Sequence, residues 1–291
     1  MRGDIATRLG AVSLVSNISF AGVKLLVGFI GNSFALVADG IESLADILSS
    51  VIVLSGLRVS RKQADHEHPY GHGKAEAIAT LLAGIGLIVS AAIIAYHAIH
   101  EIRTPQGVPA LFTVPVLVAI IIGKRWLYHT LSKHAHHEDS MALQAEAWHH
   151  LSDSLTSLGV LGGLVIAIFA GPGYEMADDL AALGVTLLIL YNAVRLIRPA
   201  LDELMDRRIE DHRIEAIEKI ASEIEGIERL ETVTVRRSGR GYVAEIHMEV
   251  QPSLTVEKSH HLSHLLKDRL LKDDDLKLTH AVMHVEPFAR K

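Results

Sequence analysis

The stretch ADGIESLADILSSV occupies residues 38–51 of this chain. It lies in a hydrophobic run long enough to cross a bilayer as a helix, which takes about 20 residues, yet it carries three carboxylates. Ionisable side chains are costly in a membrane span and usually mark a functional site. Asp39, Glu42 and Asp46 are therefore the first candidates for function.

A related stretch, AEAWHHLSDSLTSL, occupies residues 145–158 in the second half of the chain. Both stretches fit the pattern A-[DE]-x-x-[EH]-x-L-x-D-x-L-[ST]-S-[VL], which indicates an internal repeat. The alignment pairs Asp39 with Glu146, Glu42 with His149 and Asp46 with Asp153.

Hydrophobic residues make up 49% of the 291 residues, and the mean hydropathy is +0.28. Six hydrophobic runs near the length of a membrane span fill the first two-thirds of the chain. Lys124 and Arg125 interrupt the fourth run, and we expect its cytoplasmic end to extend past the lipid. The predicted spans are residues 10–31, 34–57, 76–100, 109–131, 142–170 and 177–198.

Lysine and arginine are concentrated at the N-terminus and in the loops after spans two and four, whereas the opposite loops hold only Arg103. The positive-inside rule then places both termini in the cytoplasm of a bacterial-type inner or plasma membrane. The repeated stretches belong to spans two and five, the middle members of two three-span halves. Because three is odd, the halves insert in opposite directions, as in transporters with an inverted 3+3 repeat.

From about residue 207 the composition becomes charged, with 15 Lys/Arg against 16 Asp/Glu, so no basic surface indicates a nucleic-acid partner. Periodicity there predicts an α+β domain of order αββαβ. We therefore predict a transmembrane domain over 1–206 and a cytoplasmic domain over 207–291. The chain has no cysteine, which excludes disulfides and thiolate metal sites and weighs against Cu(I).

Asp46 and Asp153 each lie about 17 Å into their spans, at 1.5 Å per residue, so both are expected near the middle of the bilayer. Residues four apart project from one face of a helix. The two predicted helices therefore offer one cage of three carboxylates and an imidazole for a divalent cation. Its ligands would be Glu42, Asp46, His149 and Asp153.

The sequence leaves more than one role possible for the other polar residues of these spans. A buried acid can instead be the structural partner of a polar group, and Lys24 in the first span could pair with one. Asp39 and Glu146 either line the pathway or make structural hydrogen bonds. His150 points about 100° away from His149, which favours packing or support of a ligand.

Two further groups of metal-ligand residues lie outside the spans. Asp65, His68 and His72 fall within eight residues in the loop after span two, where His66 could substitute for a ligand. Borderline cations prefer imidazole and carboxylate ligands, although a solvated histidine-rich loop is the alternative. The C-terminal domain contains a second group, which either forms a metal cluster or consists of ordinary surface residues; the sequence favours neither alternative. Its members are His247, His260, His261, His284 and Glu286.

The chain resembles the cation diffusion facilitator family, and within it the bacterial ferrous-iron/zinc efflux branch. The resemblance rests on ADGIESLADILSS, HPYGHGKAEAIA, AEAWHHLSDSLTS and the terminal HVEP, and it covers nearly the full length. It implies six spans, a small ferredoxin-like or metallochaperone-like αββαβ domain and a homodimer. It also implies that Lys74 pairs with Asp206.

The family's metal sites map onto three groups of residues in this sequence. The membrane site falls on Glu42, Asp46, His149 and Asp153, and the loop site on Asp65, His68 and His72. The cytoplasmic binuclear site falls on Glu231, His247, His260, His284 and Glu286, with Glu231 in place of the usual histidine and Glu286 in place of the usual aspartate.

The residues favour a secondary transporter that exports divalent transition cations by proton antiport, with Zn(II) first and Fe(II), Mn(II) and Cd(II) close behind. The cation is expected to be the transported substrate, and also a regulator if it binds the cytoplasmic domain. No prosthetic group is expected. A passive metal channel or a sensor without transport would use the same ligands. An enzyme is not expected, because HEHPYGH has the wrong spacing for an HExxH protease and contains Pro69.

Overall fold

The computed structural model describes residues 2–103, 107–138, 141–171, 173–209, 212–239 and 241–288. Within these residues, six long helices come first. They are followed by α7 (His212–Ser222), β1 (Ile227–Ser238), β2 (Gly241–Val250), α8 (Val256–Lys272) and β3 (Leu278–Pro287). The αββαβ order predicted for the C-terminal domain is therefore confirmed. The long helices are α1 (Arg2–Ile30), α2 (Phe34–Ser60), α3 (Ala75–Arg103), α4 (Thr113–Glu138), α5 (Met141–Phe169) and α6 (Met176–Leu204).

All six long helices are apolar enough over a sufficient length to cross a bilayer. Large apolar side chains such as Phe29 and Leu187 are exposed on them, at 85% and 68%, as expected for surfaces that contact lipid rather than water. The fourth span differs from its prediction. Its apolar segment is Thr113–Ala135, so that Lys124 lies at its middle rather than near its end.

The chain divides into two compact units. The first comprises residues 1–51 and 83–195, and contains most of the long helices. Within it, α4 and α5 pack along each other, and α1 contacts both. The beginning of α2 is held by α6, because Asp178 accepts hydrogen bonds from Ser33 Oγ (2.8 Å) and Ala35 N (3.1 Å). A carboxylate at this position satisfies free N–H groups and interacts favourably with the helix dipole.

The second unit comprises residues 52–82 and 196–291. Its sheet has the order β1-β2-β3, with β1 antiparallel and β3 parallel to β2. Side chains such as Val235, Ile246 and Leu266 are fully buried between this sheet and its helices.

The loop that follows α2 docks on the β1–β2 hairpin of the same unit. A Cβ atom at Gly73 would lie 2.5 Å from Ser238 Oγ and 3.0 Å from the backbone C and O atoms of Ser238, so any side chain here would force Ser238 to shift. Next to it, Lys74 Nζ lies 2.9 Å from Asp206 Oδ1, which confirms the expected pair. Arg236 Nη1 reaches the same oxygen at 2.8 Å. Burial alone would raise the pKa of Asp206, but the Lys74 hydrogen bond and the Arg236 charge lower it below its usual value.

Candidate metal-binding sites

The structure brings three of the four predicted membrane ligands together. One ligand atom from each of Asp46, His149 and Asp153 lies within 4.8 Å of the others, and His149 Nε2 is 3.7 Å from Asp153 Oδ2. Asp46 comes from α2 and the other two from consecutive turns of α5, so the repeat supplies both sides of the cluster. Carboxylate and imidazole donors at this spacing suit a divalent transition cation.

Glu42, the fourth predicted ligand, does not join that 4.8 Å group. It lies one turn before Asp46 on α2 and is 8% exposed. Its role as a ligand stays a prediction, and it would require movement of its side chain toward Asp46.

Lys124 forms part of this cluster, which the sequence did not predict. It is fully buried, and its Nζ donates a hydrogen bond to Asp153 Oδ2 at 2.5 Å. The expectation that Lys124 and Arg125 mark an end of the span beyond the lipid is therefore wrong for Lys124. Successive residues of a helix point about 100° apart, and Arg125 instead lies over the Tyr128 ring at 5.4 Å.

Asp39 is a structural partner of Lys24, one of the alternatives that the sequence left open. Lys24 Nζ lies 2.7 Å from Asp39 Oδ1, and Ser157 Oγ donates to Asp39 Oδ2 at 2.8 Å. Lys24 also donates to Ser43 at 3.2 Å. All four residues are buried. They connect α1, α2 and α5 beside the metal-ligand cluster.

Glu146 and His150 are likewise held by α1. Ser13 Oγ donates to Glu146 Oε1 at 2.6 Å and lies 2.6 Å from His150 Nε2. Ser13 and His150 are 137 residues apart, so no local sequence pattern predicts their contact. The contact differs from a catalytic triad, because the carboxylate meets the serine hydroxyl instead of the second ring nitrogen.

The loop residues Asp65, His68 and His72 also converge, with ligand atoms within 4.8 Å of one another. His68 Nδ1 lies 3.2 Å and His72 Nε2 3.4 Å from the Asp65 carboxylate. The backbone N–H of His68, which donates to Asp65 at 2.7 Å, is the main cause of a lowered Asp65 pKa. An ionised carboxylate between two imidazoles is ready to bind a cation.

Three of the five residues predicted for the C-terminal site meet at adjacent strand positions. His247 of β2 and His284 of β3 are register partners, and Glu286 Oε1 lies 2.8 Å from His247 Nδ1 and 3.2 Å from His284 Nε2. The hydrogen bond with His247 lowers the pKa of Glu286, which keeps this ligand ionised.

Glu231 and His260 do not join that ligand group. Glu231 falls at an irregularity in the pairing of β1 with β2. It still contacts the cluster through a side-chain hydrogen bond with Glu286, which also lowers the pKa of Glu286. The His260 ring lies 4.5 Å from that of His264, one turn later on α8. The i, i+4 spacing of these two histidines is visible in the sequence and could have predicted their contact.

We expect the variant with His247→Ala and His284→Ala to lose metal binding at the C-terminal domain while keeping metal binding at the membrane cluster. Two of the three donors would be absent, whereas the membrane cluster would be intact. Zn(II) stoichiometry measured on the full-length protein should fall relative to the unchanged chain. The control is His280→Ala, a β3 histidine that contacts Tyr70 instead of this cluster. Unchanged stoichiometry in the double variant would contradict the prediction.

The fold and its clusters define the class of this protein: a six-helix membrane protein with acid-and-imidazole sites suited to divalent metals. Comparison with family models agrees. Residues 11–205 match the cation efflux transmembrane domain, and residues 209–288 match the cation efflux protein cytoplasmic domain. The chain therefore belongs to the cation diffusion facilitator family of metal-efflux transporters, and it is an integral membrane protein.

Similar curated proteins cover nearly the whole chain. The manganese efflux system protein MneP of Bacillus subtilis is 28% identical over 99% of this chain and 98% of its own length. The cation-efflux pump FieF of Pectobacterium atrosepticum is 30% identical over 86% and 83%. Among solved structures, a single-substitution variant of the MamM CTD is 17% identical with a TM-score of 0.26, and the match covers 27% of this chain and 96% of that one.

Proposed function

We propose that this protein exports divalent transition-metal cations from the cytoplasm in exchange for protons. The observation that carries the proposal is the meeting of Asp46, His149 and Asp153 within 4.8 Å on two helices related by an internal repeat. Sites at the interface of inverted repeats near the bilayer midplane are typical of alternating-access transporters. Rocking of the two halves about the cluster would expose it to one side of the membrane at a time.

Proton exchange follows from the chemistry of the ligands. A metal binds ionised carboxylates and neutral imidazole, so its arrival displaces protons and the return of protons favours its release. An acidic compartment on the far side of the membrane would therefore draw the cation outward.

The proposed cation is a borderline or hard divalent metal. Two carboxylates and one imidazole, with Glu42 as a predicted third carboxylate and no sulfur, suit Zn(II), Mn(II), Fe(II) and Cd(II) better than Cu(I). The sequence placed Zn(II) first. Two similar proteins are named as manganese efflux systems, which makes Mn(II) the second cation to test.

The distribution of lysine and arginine supports cytoplasmic placement of both termini and of the C-terminal domain. We further propose that the protein is a homodimer in a bacterial-type plasma membrane, with metal at the His247–His284–Glu286 cluster acting as a regulator. Such regulation requires the two transport states to bind that metal with different affinities.

The test is uptake of Zn(II) and Mn(II) into inside-out vesicles, whose lumen corresponds to the cell exterior. We expect an acidic lumen to accelerate uptake and a protonophore to remove the acceleration. Uptake that follows the metal gradient regardless of pH would identify a passive channel. Metal binding without any uptake would identify a sensor. Either of these outcomes would overturn the proposal.

A further inference from the structure

Two lysines are fully buried in the first compact unit, and each is paired with an aspartate. Lys24 and Lys124 are both 0% exposed. Lys24 binds Asp39, which also accepts a hydrogen bond from Ser157 and lies outside the metal-ligand group. Lys124 binds Asp153, which belongs to that group. The same type of pair therefore occurs once beside the metal-ligand cluster and once within it.

The contact of Lys124 uses the Asp153 oxygen that lies nearest to His149. Lys124 Nζ is 2.5 Å from Asp153 Oδ2, and the same oxygen is 3.7 Å from His149 Nε2. A transition cation bound to a carboxylate oxygen stands about 2.0–2.2 Å from it. A metal on Oδ2 would therefore lie no more than about 4.7 Å from Nζ, given the Lys124–Asp153 distance. Two positive charges that close, in a buried site, repel each other strongly.

We propose that Lys124 is a tethered counter-cation that competes with the transported metal for Asp153. The ammonium group binds Oδ2 when the metal is absent and leaves it when the metal arrives. Lysine suits this role because a compact charge on a flexible four-carbon stem can move without movement of the helix backbone. The inference rests on the proposed function, in which Asp153 is a ligand of the exported cation.

Competition of this kind has a consequence for transport. An exporter must release its cargo, and a buried cluster of two carboxylates and an imidazole would otherwise hold a divalent cation tightly. Lys124 neutralises one of these charges in the empty site and so lowers the net affinity for metal. It also neutralises the charge of Asp153 while the metal-free transporter changes back to the state that is open to the cytoplasm.

The test compares metal binding by the full-length protein in detergent, using calorimetry with Mn(II) and Zn(II) at one fixed pH. We expect Lys124→Gln to tighten binding about tenfold, a change equivalent to about 1.4 kcal/mol. Lys24→Gln is the matched control, because it removes the other buried lysine and leaves the ligands unchanged. It should lower the melting temperature without tightening metal binding.

Lys124→Arg tests whether a stronger competitor for Asp153 weakens metal binding. Its guanidinium keeps the charge and can bind a carboxylate through two hydrogen bonds, so metal binding should become weaker than in the unchanged protein. In vesicles, Lys124→Gln should lower the KM for metal and also the maximal rate, because release becomes slow. A residue that only positions Asp153 would give a higher KM instead.

Unchanged or weaker binding in Lys124→Gln would overturn the inference, provided that the variant remains folded and monodisperse. Should it not fold, Lys124→Arg decides alone: equal or tighter binding in that variant would overturn it. Asp153→Asn separates this inference from the proposed function. If Asp153→Asn binds metal like the unchanged protein, the proposed membrane site itself is wrong, whatever the Lys124 variants show.

Discussion

Asp46→Asn is expected to reduce metal transport by more than 100-fold. Loss of a residue that only supports a metal ligand already costs about 10–100-fold in affinity or activity, and Asp46 is one of the three residues whose ligand atoms meet within 4.8 Å. An amide keeps the shape of the side chain but removes the charge that attracts the cation. Uptake of Zn(II) and Mn(II) into inside-out vesicles measures the effect.

Asp153→Asn should abolish transport as well, but it also removes the partner of buried Lys124. Asp46→Asn is therefore the cleaner variant, and the melting temperature of both should be recorded. The matched control is Glu146→Gln, the same acid-to-amide change on α5. Its side chain still accepts the hydrogen bond from Ser13, and transport should be close to normal. Normal transport in Asp46→Asn would remove the proposed site.

Asp39→Asn is expected to destabilise the protein by about 3–5 kcal/mol, the usual cost of breaking a buried ion pair. It leaves the fully buried Lys24 charge without its carboxylate, and it weakens the acceptor for Ser157. The melting temperature in detergent should fall by roughly 10 °C, at a few degrees per kcal/mol for a chain of this size.

A double variant at Lys24 and Asp39 tests whether the loss of stability comes from the unpaired charge or from altered packing. Lys24→Met with Asp39→Leu replaces both charges by apolar groups of similar volume, an exchange that is often neutral. It should recover most of the lost melting temperature, with a residual cost of about 1 kcal/mol for each unpaired serine hydroxyl. The control Asp202→Asn breaks an exposed pair with Arg207 and should change stability by at most about 1 kcal/mol. A double variant as unstable as Asp39→Asn would contradict the electrostatic explanation.

The role of each intramembrane acid could not be assigned from the sequence alone. Asp39 and Asp46 are both acids of α2, seven residues apart, and each has an acidic counterpart in the repeat. The structure separates them by their neighbours: Lys24 and Ser157 surround Asp39, whereas His149 and Asp153 lie near Asp46. These neighbours come from other helices, at distances along the chain that no local pattern encodes.

The partners of the two buried lysines, Lys24 and Lys124, could not be assigned from the sequence either. The sequence left open an acidic partner for Lys24, whereas Lys124 was expected beyond the lipid because a charged residue in an apolar run usually marks its end. In the structure α4 continues through Lys124, whose charge is compensated by Asp153 of the adjacent α5. A buried charge is tolerated when it is paired, and the pairing becomes visible only when α4 and α5 are packed together.

Six spans, the repeat that links α2 to α5, and the αββαβ order of the C-terminal domain were all predictable from the residues, because hydropathy and periodicity are local properties of the chain. Which acid meets a lysine and which meets a histidine became visible only in the folded protein. The same holds for the positions of Glu231, His260 and Glu42 outside the groups whose ligand atoms lie within 4.8 Å of one another. The reason is physical: ligand and ion-pair contacts depend on ångström-scale distances between side chains of different elements, and packing sets those distances.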